Sequence, residues 1–193
     1  MPRKILIFPA LFLLAASAFA QIETWKIDPV HSAAQFSVKH LAISTVRGQF
    51  QKISGTVGYD PRDVAKTSID VSIDAASVDT RVDMRDRDLR SSNFLDVQKF
   101  PAITFKSTRV EAAAPGKLKV TGDLTIHGVT KEVVLDLDGP SAPITAMGGL
   151  RMGASATTKI NRKDFGVNGA PSMVGDDISI TLDVEVAKPP AGH

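Results

Sequence analysis

The chain has 193 residues, with 23 lysines and arginines, 21 aspartates and glutamates, and no cysteine. The absence of cysteine excludes disulfides, thiolate zinc sites and cysteine nucleophiles. The near balance of charge argues against nucleic acid as a partner, because phosphate binding needs a basic excess, and it gives no overall attraction to anionic lipid. We therefore expect a protein that is stabilised by its apolar core.

Residues 1–20 have the features of a secretory signal peptide. Arg3 and Lys4 precede an apolar run, and Ala18-Phe-Ala20 fits a small-x-small cleavage site before Gln21. The run is too short for a comfortable membrane span, and no later segment is apolar enough to cross a bilayer. Cleavage would reduce the 23 basic residues to 21, against 21 acidic residues, so the mature chain is formally neutral. We expect a periplasmic protein, with secretion as the alternative.

After Gln21, most segments alternate apolar and polar residues with period two, as in residues 69–75 and 118–126. This pattern is typical of antiparallel strands with one buried face. About eight long strands joined by short turns favour an up-and-down barrel or a sandwich, and alternation over about ten residues favours a barrel with a deep interior. Small residues at inward positions favour a cavity over a solid core. We see no linker and expect residues 21–193 to form one domain.

The inward positions of these strands form the predicted wall of the barrel interior. They are Phe36, Val38, Phe50, Val57, Ile69, Val71, Ile73, Phe105, Leu124, Met152 and Leu182. Residues 46–50 and 53–59 alternate out of phase with each other. We therefore expect a β-bulge at Gln51 or Lys52 that restores the inward face.

Residues 80–100 break the period-two pattern and carry charges of both signs at helical spacing. Asp83 with Arg87, and Asp86 with Arg90, would form i,i+4 ion pairs on the wet face of a helix. Because such pairs are weak, packing must hold this insert. The residues expected to pack are Val82, Leu89, Phe94 and Leu95. The insert is either a connector with a solvated charged face or a lid over one end of the barrel, with Leu89, Phe94 and Leu95 facing the interior.

The sequence contains few of the motifs that are typical of catalytic or metal-binding sites. The histidines are His31, His40, His127 and His193. None has the spacing of an HExxH pair, and Gly-x-Ser-x-Gly is absent, so we expect no metal site, no catalytic residue and no cofactor. Some polar residues are candidates for the mouth of the barrel, with turn hydrogen bonds and ion pairs as the alternative for each. These candidates are His31, His40, Arg47, Asp86 and Arg87.

Several motifs follow one another in a fixed order. They are Trp25-Lys-Ile-Asp-Pro-Val-His-Ser-Ala-Ala-Gln-Phe-Ser-Val-Lys-His-Leu41, Arg47-Gly-x-Phe50, Arg85-Asp86 with Leu89-Arg90-Ser91, Asn93-Phe-Leu-Asp96, Phe100-Pro-x-Ile-Thr-Phe105, Gly122-Asp-Leu-Thr-Ile-His-Gly-Val-Thr130 and Ile160-Asn-Arg-Lys-Asp-Phe-Gly166. In this combination the chain resembles the YceI-like family, and the resemblance covers nearly the whole mature chain.

The resemblance implies an all-β, mainly antiparallel fold, an extended lipocalin-like eight-stranded up-and-down barrel with a short helical insert. It also implies a long-chain isoprenoid-type amphiphile, a polyisoprenoid or quinone-like molecule, in the apolar interior. A periplasmic location, and often a homodimer, are implied as well. The ligand-binding residues would then be the predicted wall together with His40, Leu89, Phe94 and Leu95.

We therefore expect a lipid-binding protein that serves transport or storage and is not an enzyme. One alternative is a hydrolase that acts on a lipid or an amide, for which no nucleophile constellation is visible. The other alternative is an interaction protein with a solid core and no ligand.

Overall fold

The computed structural model describes residues 22–189, which form twelve strands and one short α-helix. The strands are β1 Glu23–Ile27, β2 Ala33–His40, β3 Ser44–Phe50, β4 Ile53–Tyr59, β5 Ser68–Asp74, β6 Val78–Asp79, β7 Ala102–Ala114, β8 Lys117–Ile126, β9 Val129–Asp138, β10 Ile144–Ala146, β11 Gly149–Asn161 and β12 Val174–Lys188. Helix α1 spans Asp83–Arg90, and a 3₁₀ turn spans Arg162–Phe165. The predicted signal peptide and the cleavage site before Gln21 lie outside the described residues.

The sheet closes on itself, because β12 pairs with β11 on one side and with β1 and β2 on the other. β1 and β2 lie end to end along β12, and β4 and β3 lie end to end beside them, so each pair serves as one long strand. The barrel then continues in chain order through β5 with β6, β7, β8, β9 and β11. The predicted fold is confirmed: an antiparallel up-and-down barrel of eight strands with a short helical insert.

Gln51 and Lys52 separate β3 from β4, so the predicted bulge at this point is wrong. β3 pairs with β2 and β6, whereas β4 pairs with β1 and β5. The change of phase therefore marks the boundary between two strands with different partners. Register shifts occur elsewhere, for example between Ser107 and Arg109 where β7 pairs with β8.

The two ends of the barrel differ. One end holds the insert between β6 and β7, the β2–β3 turn and the β11–β12 connection. The turn and the connection lie at the same end because His40 at the end of β2 pairs with Val174 at the start of β12, and Ile160 near the end of β11 pairs with Ile178. Near the other end Trp25, which is 1% exposed, packs on the inner face in a cluster with Met152. Within residues 22–189, no helix has the length and apolar character needed to cross a membrane.

Candidate functional site

The barrel encloses a cavity of about 280 Å³ whose wall is almost wholly apolar. The long strands all contribute to it, because alternate residues of a strand point to the same face and the apolar set points inward. Every residue of the predicted wall lines the cavity. Leu89, Phe94 and Leu95 of the insert line it as well. Their contact with a ligand stays a prediction.

Part of the lining was not predicted from the sequence. Ile103, Leu135 and Ile178 lie on strands whose alternation would have identified them. Phe165 and Val167 also line the cavity, but they lie in the β11–β12 connection. That connection has no periodic pattern, so nothing in the sequence indicated that it turns apolar side chains inward.

The insert and the β11–β12 connection together cover one end of the cavity, and we call residues 80–100 and 162–173 the cover. Phe94 is only 8% exposed and lies between the cavity and Gly169. The backbone at Gly169 passes so close that a Cβ atom there would lie 2.8 Å from ring carbon Cε2 of Phe94. The two segments of the cover are therefore in direct contact. Val82, which was expected to pack, is exposed instead.

Asp86 is buried, although the sequence placed it on the wet face of a helix. Its Oδ1 atom accepts hydrogen bonds from the backbone nitrogen of Thr80 at 2.9 Å and from Thr80 Oγ1 at 2.5 Å. Arg85 donates from Nε to Thr80 Oγ1 at 2.7 Å and from Nη2 to the Thr80 carbonyl at 2.8 Å. Asp86 therefore ties α1 to the chain that precedes it, and it does not line the cavity.

Arg90 does not form the predicted ion pair with Asp86. It donates from Nε to the carbonyl of Ala76 at 2.7 Å and from Nη2 to the carbonyl of Val78 at 2.6 Å. These bonds fix the end of α1 to the start of β6. The i,i+4 spacing was misleading because tertiary partners on the barrel compete with the neighbour on the helix. Asp83 and Arg87 are exposed.

Arg162 holds the second segment of the cover. Its side chain is only 4% exposed, and Nη1 donates to the carbonyls of Val167 at 2.9 Å and Gly169 at 2.7 Å. Nε and Nη2 donate to the carbonyls of Gly175 and Val174, each at 3.0 Å. One guanidinium group thus satisfies two backbone carbonyls of the β11–β12 connection and two at the start of β12. Arg162 belongs to the Ile160–Gly166 motif, but no role was predicted for it from the sequence.

The remaining mouth candidates do not line the cavity. His40 ends β2, where it pairs with Ser44 and Val174. Arg47 is exposed on β3 and Arg87 is exposed on α1. His31 lies in the exposed bend between β1 and β2. None of these four residues lines the cavity, so its geometry gives no support to a mouth role.

His31 belongs to a charged cluster outside the cavity. Its Nδ1 lies 3.1 Å from Asp28 Oδ2, and Arg151 Nη1 donates to Asp28 Oδ2 at 2.6 Å and to Glu185 Oε1 at 2.5 Å. The ligand atoms of Asp28, His31 and Glu185 lie within 4.8 Å of one another, as in a metal site. The guanidinium group already occupies the position between the two carboxylates, so the cluster is an ion-pair network. The Arg151 hydrogen bond, followed by the His31 contact, holds the pKa of Asp28 well below its usual range.

Comparison with known proteins decides the family. A sequence model of the YceI-like domain matches residues 25–186. The chain belongs to the YceI-like family. A UPF0312 protein of Vibrio cholerae is 39% identical to it over 152 residues, which cover 78% of this chain and 80% of that protein.

Two solved structures agree with the YceI-like fold. Burkholderia cenocepacia BcnA matches with a TM-score of 0.73 at 25% identity and covers 82% of this chain and 98% of its own. A polyisoprenoid binding domain from Saccharophagus degradans, implicated in plant cell wall breakdown, matches with a TM-score of 0.66 at 17% identity and covers 86% and 98%. At this low identity the second match shows the fold alone.

Two of the motifs that carry the YceI resemblance supply the hydrogen bonds of the cover. The first contains Asp86 and Arg90, which bond to the chain around β6. The second contains Arg162, which bonds to the β11–β12 connection. In this YceI-like chain, these motif residues therefore hold the cover over the end of the barrel.

Proposed function

We propose that this YceI-like protein is an exported periplasmic carrier that holds a long-chain isoprenoid-type amphiphile, for transport or storage. The observation that carries the proposal is the apolar cavity inside the barrel, which is lined from all sides of the barrel and covered at one end. The Saccharophagus degradans neighbour, described as a polyisoprenoid binding domain, supports the ligand class. A polyisoprenoid and a quinone with an isoprenoid tail both fit this chemistry.

Burial of the tail would dominate the affinity. Each buried CH₂ group contributes about 0.8 kcal/mol, whereas one neutral hydrogen bond to a head group contributes only about 1 kcal/mol net. An almost wholly apolar wall discriminates poorly between tails of similar shape. The cavity of about 280 Å³ lies near the lower end of ligand pockets, which hold roughly 300–1,000 Å³, so we expect one ligand per chain.

The test is mass spectrometry of an organic extract of the purified protein. A stoichiometric isoprenoid-type lipid that co-purifies would support the carrier. Turnover of an added lipid or amide would favour the hydrolase alternative. An extract that stays empty, including after incubation with polyisoprenol and ubiquinone, would favour an interaction protein without a ligand.

A matched pair of variants links the lipid to the cavity. Ala156 is buried and lines the cavity, whereas Ala113 is exposed on β7. Ala156→Leu places additional atoms in the cavity and should reduce the bound lipid, while Ala113→Leu should retain the wild-type amount. Equal lipid in both variants would show that the lipid binds elsewhere.

Export is tested separately. The protein should be recovered in the periplasmic fraction of a Gram-negative host, and its N-terminal sequence should begin at Gln21. A periplasmic protein that begins at Met1, or a protein confined to the cytoplasm, would contradict the proposed location.

A further inference from the structure

The β2–β3 turn exposes apolar side chains at the covered end of the barrel. Ile43 is 83% exposed, and Leu41 and Met173 are about half exposed. Ala42 lies between them in the chain and is also exposed. We call Leu41, Ala42, Ile43 and Met173 the apolar tip.

The backbone of the turn does not require these side chains. Leu41 and Ala42 have φ angles of 50° and 59°, and Ile43 donates a backbone hydrogen bond to the carbonyl of His40. A hairpin turn with two successive residues in the left-handed conformation is usually formed by Asn and Gly, which are polar or small. Leu and Ala at these positions bring apolar surface to the tip without a conformational gain.

The tip is joined to the cover. The backbone nitrogen of Leu41 donates to the carbonyl of Met173 at 2.7 Å. Met173 ends the β11–β12 connection, in which Val167 lines the cavity and Gly169 packs against Phe94. The exposed apolar surface and the cover of the cavity are therefore parts of one hydrogen-bonded unit.

Two cations flank the tip. Lys39 on β2 and Arg47 on β3 are both exposed. They are diagonal neighbours on the same face of the β2–β3 ladder, because Lys39 is opposite Thr45 and Arg47 is opposite Ser37. Among the residues that the structure describes, neither has a carboxylate within 4.0 Å. The nearby acids of β12 are paired elsewhere, Asp176 with Lys163 and Asp177 with Lys159.

We propose that the apolar tip docks this protein on the surface of an anionic lipid bilayer, with Ile43 and Leu41 inserted among the acyl chains and Lys39 and Arg47 at the head groups. Exposed apolar side chains beside cations are typical of surfaces that bind at the membrane interface. The mature chain is neutral as a whole, so the attraction depends on this local arrangement. The proposal rests on the proposed function, because a carrier of a membrane lipid must exchange it with a bilayer, and it places that exchange at the covered end.

The test is co-sedimentation of the mature protein with vesicles of phosphatidylcholine, alone or mixed with phosphatidylglycerol. The wild type should bind the mixed vesicles, and Ile43→Asp should weaken binding by roughly tenfold or more, as the loss of one buried aliphatic side chain predicts. Ile144→Asp is the matched control, because Ile144 is 61% exposed on β10, at the opposite end of the barrel. It should bind like the wild type. Lys39→Glu should weaken binding to mixed vesicles only.

Two results would overturn the docking. A wild type that binds no vesicles, or an Ile43→Asp variant that binds like the wild type, contradicts it. Dissociation of a dimer by Ile43→Asp, without vesicle binding by the wild type, would assign the tip to a second copy of the chain. Retained lipid is measured in the same samples. If lipid is retained but vesicles are not bound, only the docking fails; if vesicles are bound through Ile43 but no lipid is retained, only the proposed carrier function fails.

Discussion

The wall of the barrel and its cover are stabilised by different interactions. In the wall, neighbouring strands exchange backbone hydrogen bonds, and inner side chains such as Val120 and Phe105 pack in large apolar clusters. In the cover, three charged side chains bond to backbone groups in turns and at the ends of strands: Asp86, Arg90 and Arg162. The stability of the wall is therefore spread over many contacts, whereas that of the cover depends on a few side chains. Single substitutions should affect the cover most.

The largest effect is expected for Arg162→Ala. The change leaves the carbonyls of Val167, Gly169, Val174 and Gly175 without their donor in a buried site. Removal of one partner from a buried charged network typically costs about 3–5 kcal/mol, and we expect a decrease of that size in the free energy of unfolding. Urea denaturation followed by Trp25 fluorescence measures it.

Arg109→Ala is the control for this prediction, because Arg109 is exposed on β7 and, within residues 22–189, forms a single surface ion pair, with Glu111. It should lower the stability by less than about 1 kcal/mol. Arg162→Lys keeps the charge but loses the planar fork of donors, so its stability should lie between those of the wild type and Arg162→Ala. Equal stability of Arg162→Ala and Arg109→Ala would contradict the central role of this side chain in the cover.

Phe94→Ala should come next and should separate stability from ligand retention. Phe94 is buried and lines the cavity, so its truncation should cost about 3 kcal/mol. If the cover also retains the ligand, the amount of lipid per folded protein should fall. Calorimetry and mass spectrometry of the same samples measure the two quantities.

Phe100→Ala is the matched control on the same segment. Phe100 packs against His127 and does not line the cavity. The Phe100→Ala variant should be less stable than the wild type but should contain the same amount of lipid. The same lipid content in Phe94→Ala, with a lowered melting temperature, would leave the insert as a structural brace and reject its role as a lid.

The same difference between wall and cover explains what the sequence could predict. Val57 and Ile69 were placed on the inner face because the alternation of a strand is a local property. Arg162 and Val167 could not be placed, because a connection without a period gives no sign of which side chains turn inward. The charges of the insert were misinterpreted for a related reason. Asp86 has an ideal i,i+4 partner in the sequence, but its hydrogen-bond donors belong to Thr80 in the folded chain.

A smaller effect is expected for Arg90→Ala. Its two hydrogen bonds reach the carbonyls of Ala76 and Val78 at a partly exposed site, so we expect a loss of about 1–2 kcal/mol. Arg87→Ala on the same helix is the control and should change the stability by less than about 0.5 kcal/mol, as surface substitutions usually do. Thermal denaturation of both variants measures the difference. If Arg90→Ala and Arg87→Ala have the same melting temperature, the two hydrogen bonds of Arg90 do not fix α1 to the barrel.

The smallest effect is expected in the wall, at the charged cluster of Asp28. The pKa of Asp28 is lowered in the folded state, chiefly by the hydrogen bond from Arg151 and then by His31. A carboxylate of this kind stabilises the fold above the unfolded-state pKa of about 3.9, and this contribution is lost as the pH falls through the lower folded-state pKa. Asp28→Asn should therefore be less stable than the wild type at neutral pH, and the difference should shrink as the pH falls below about 4. Urea denaturation of both proteins at several pH values measures this.

The control is an Arg151→Met background. There Asp28→Asn should alter the pH dependence less, because the main cause of the lowered pKa is already gone. A constant difference between Asp28→Asn and the wild type at every pH would show that Asp28 acts through its geometry and not through its charge.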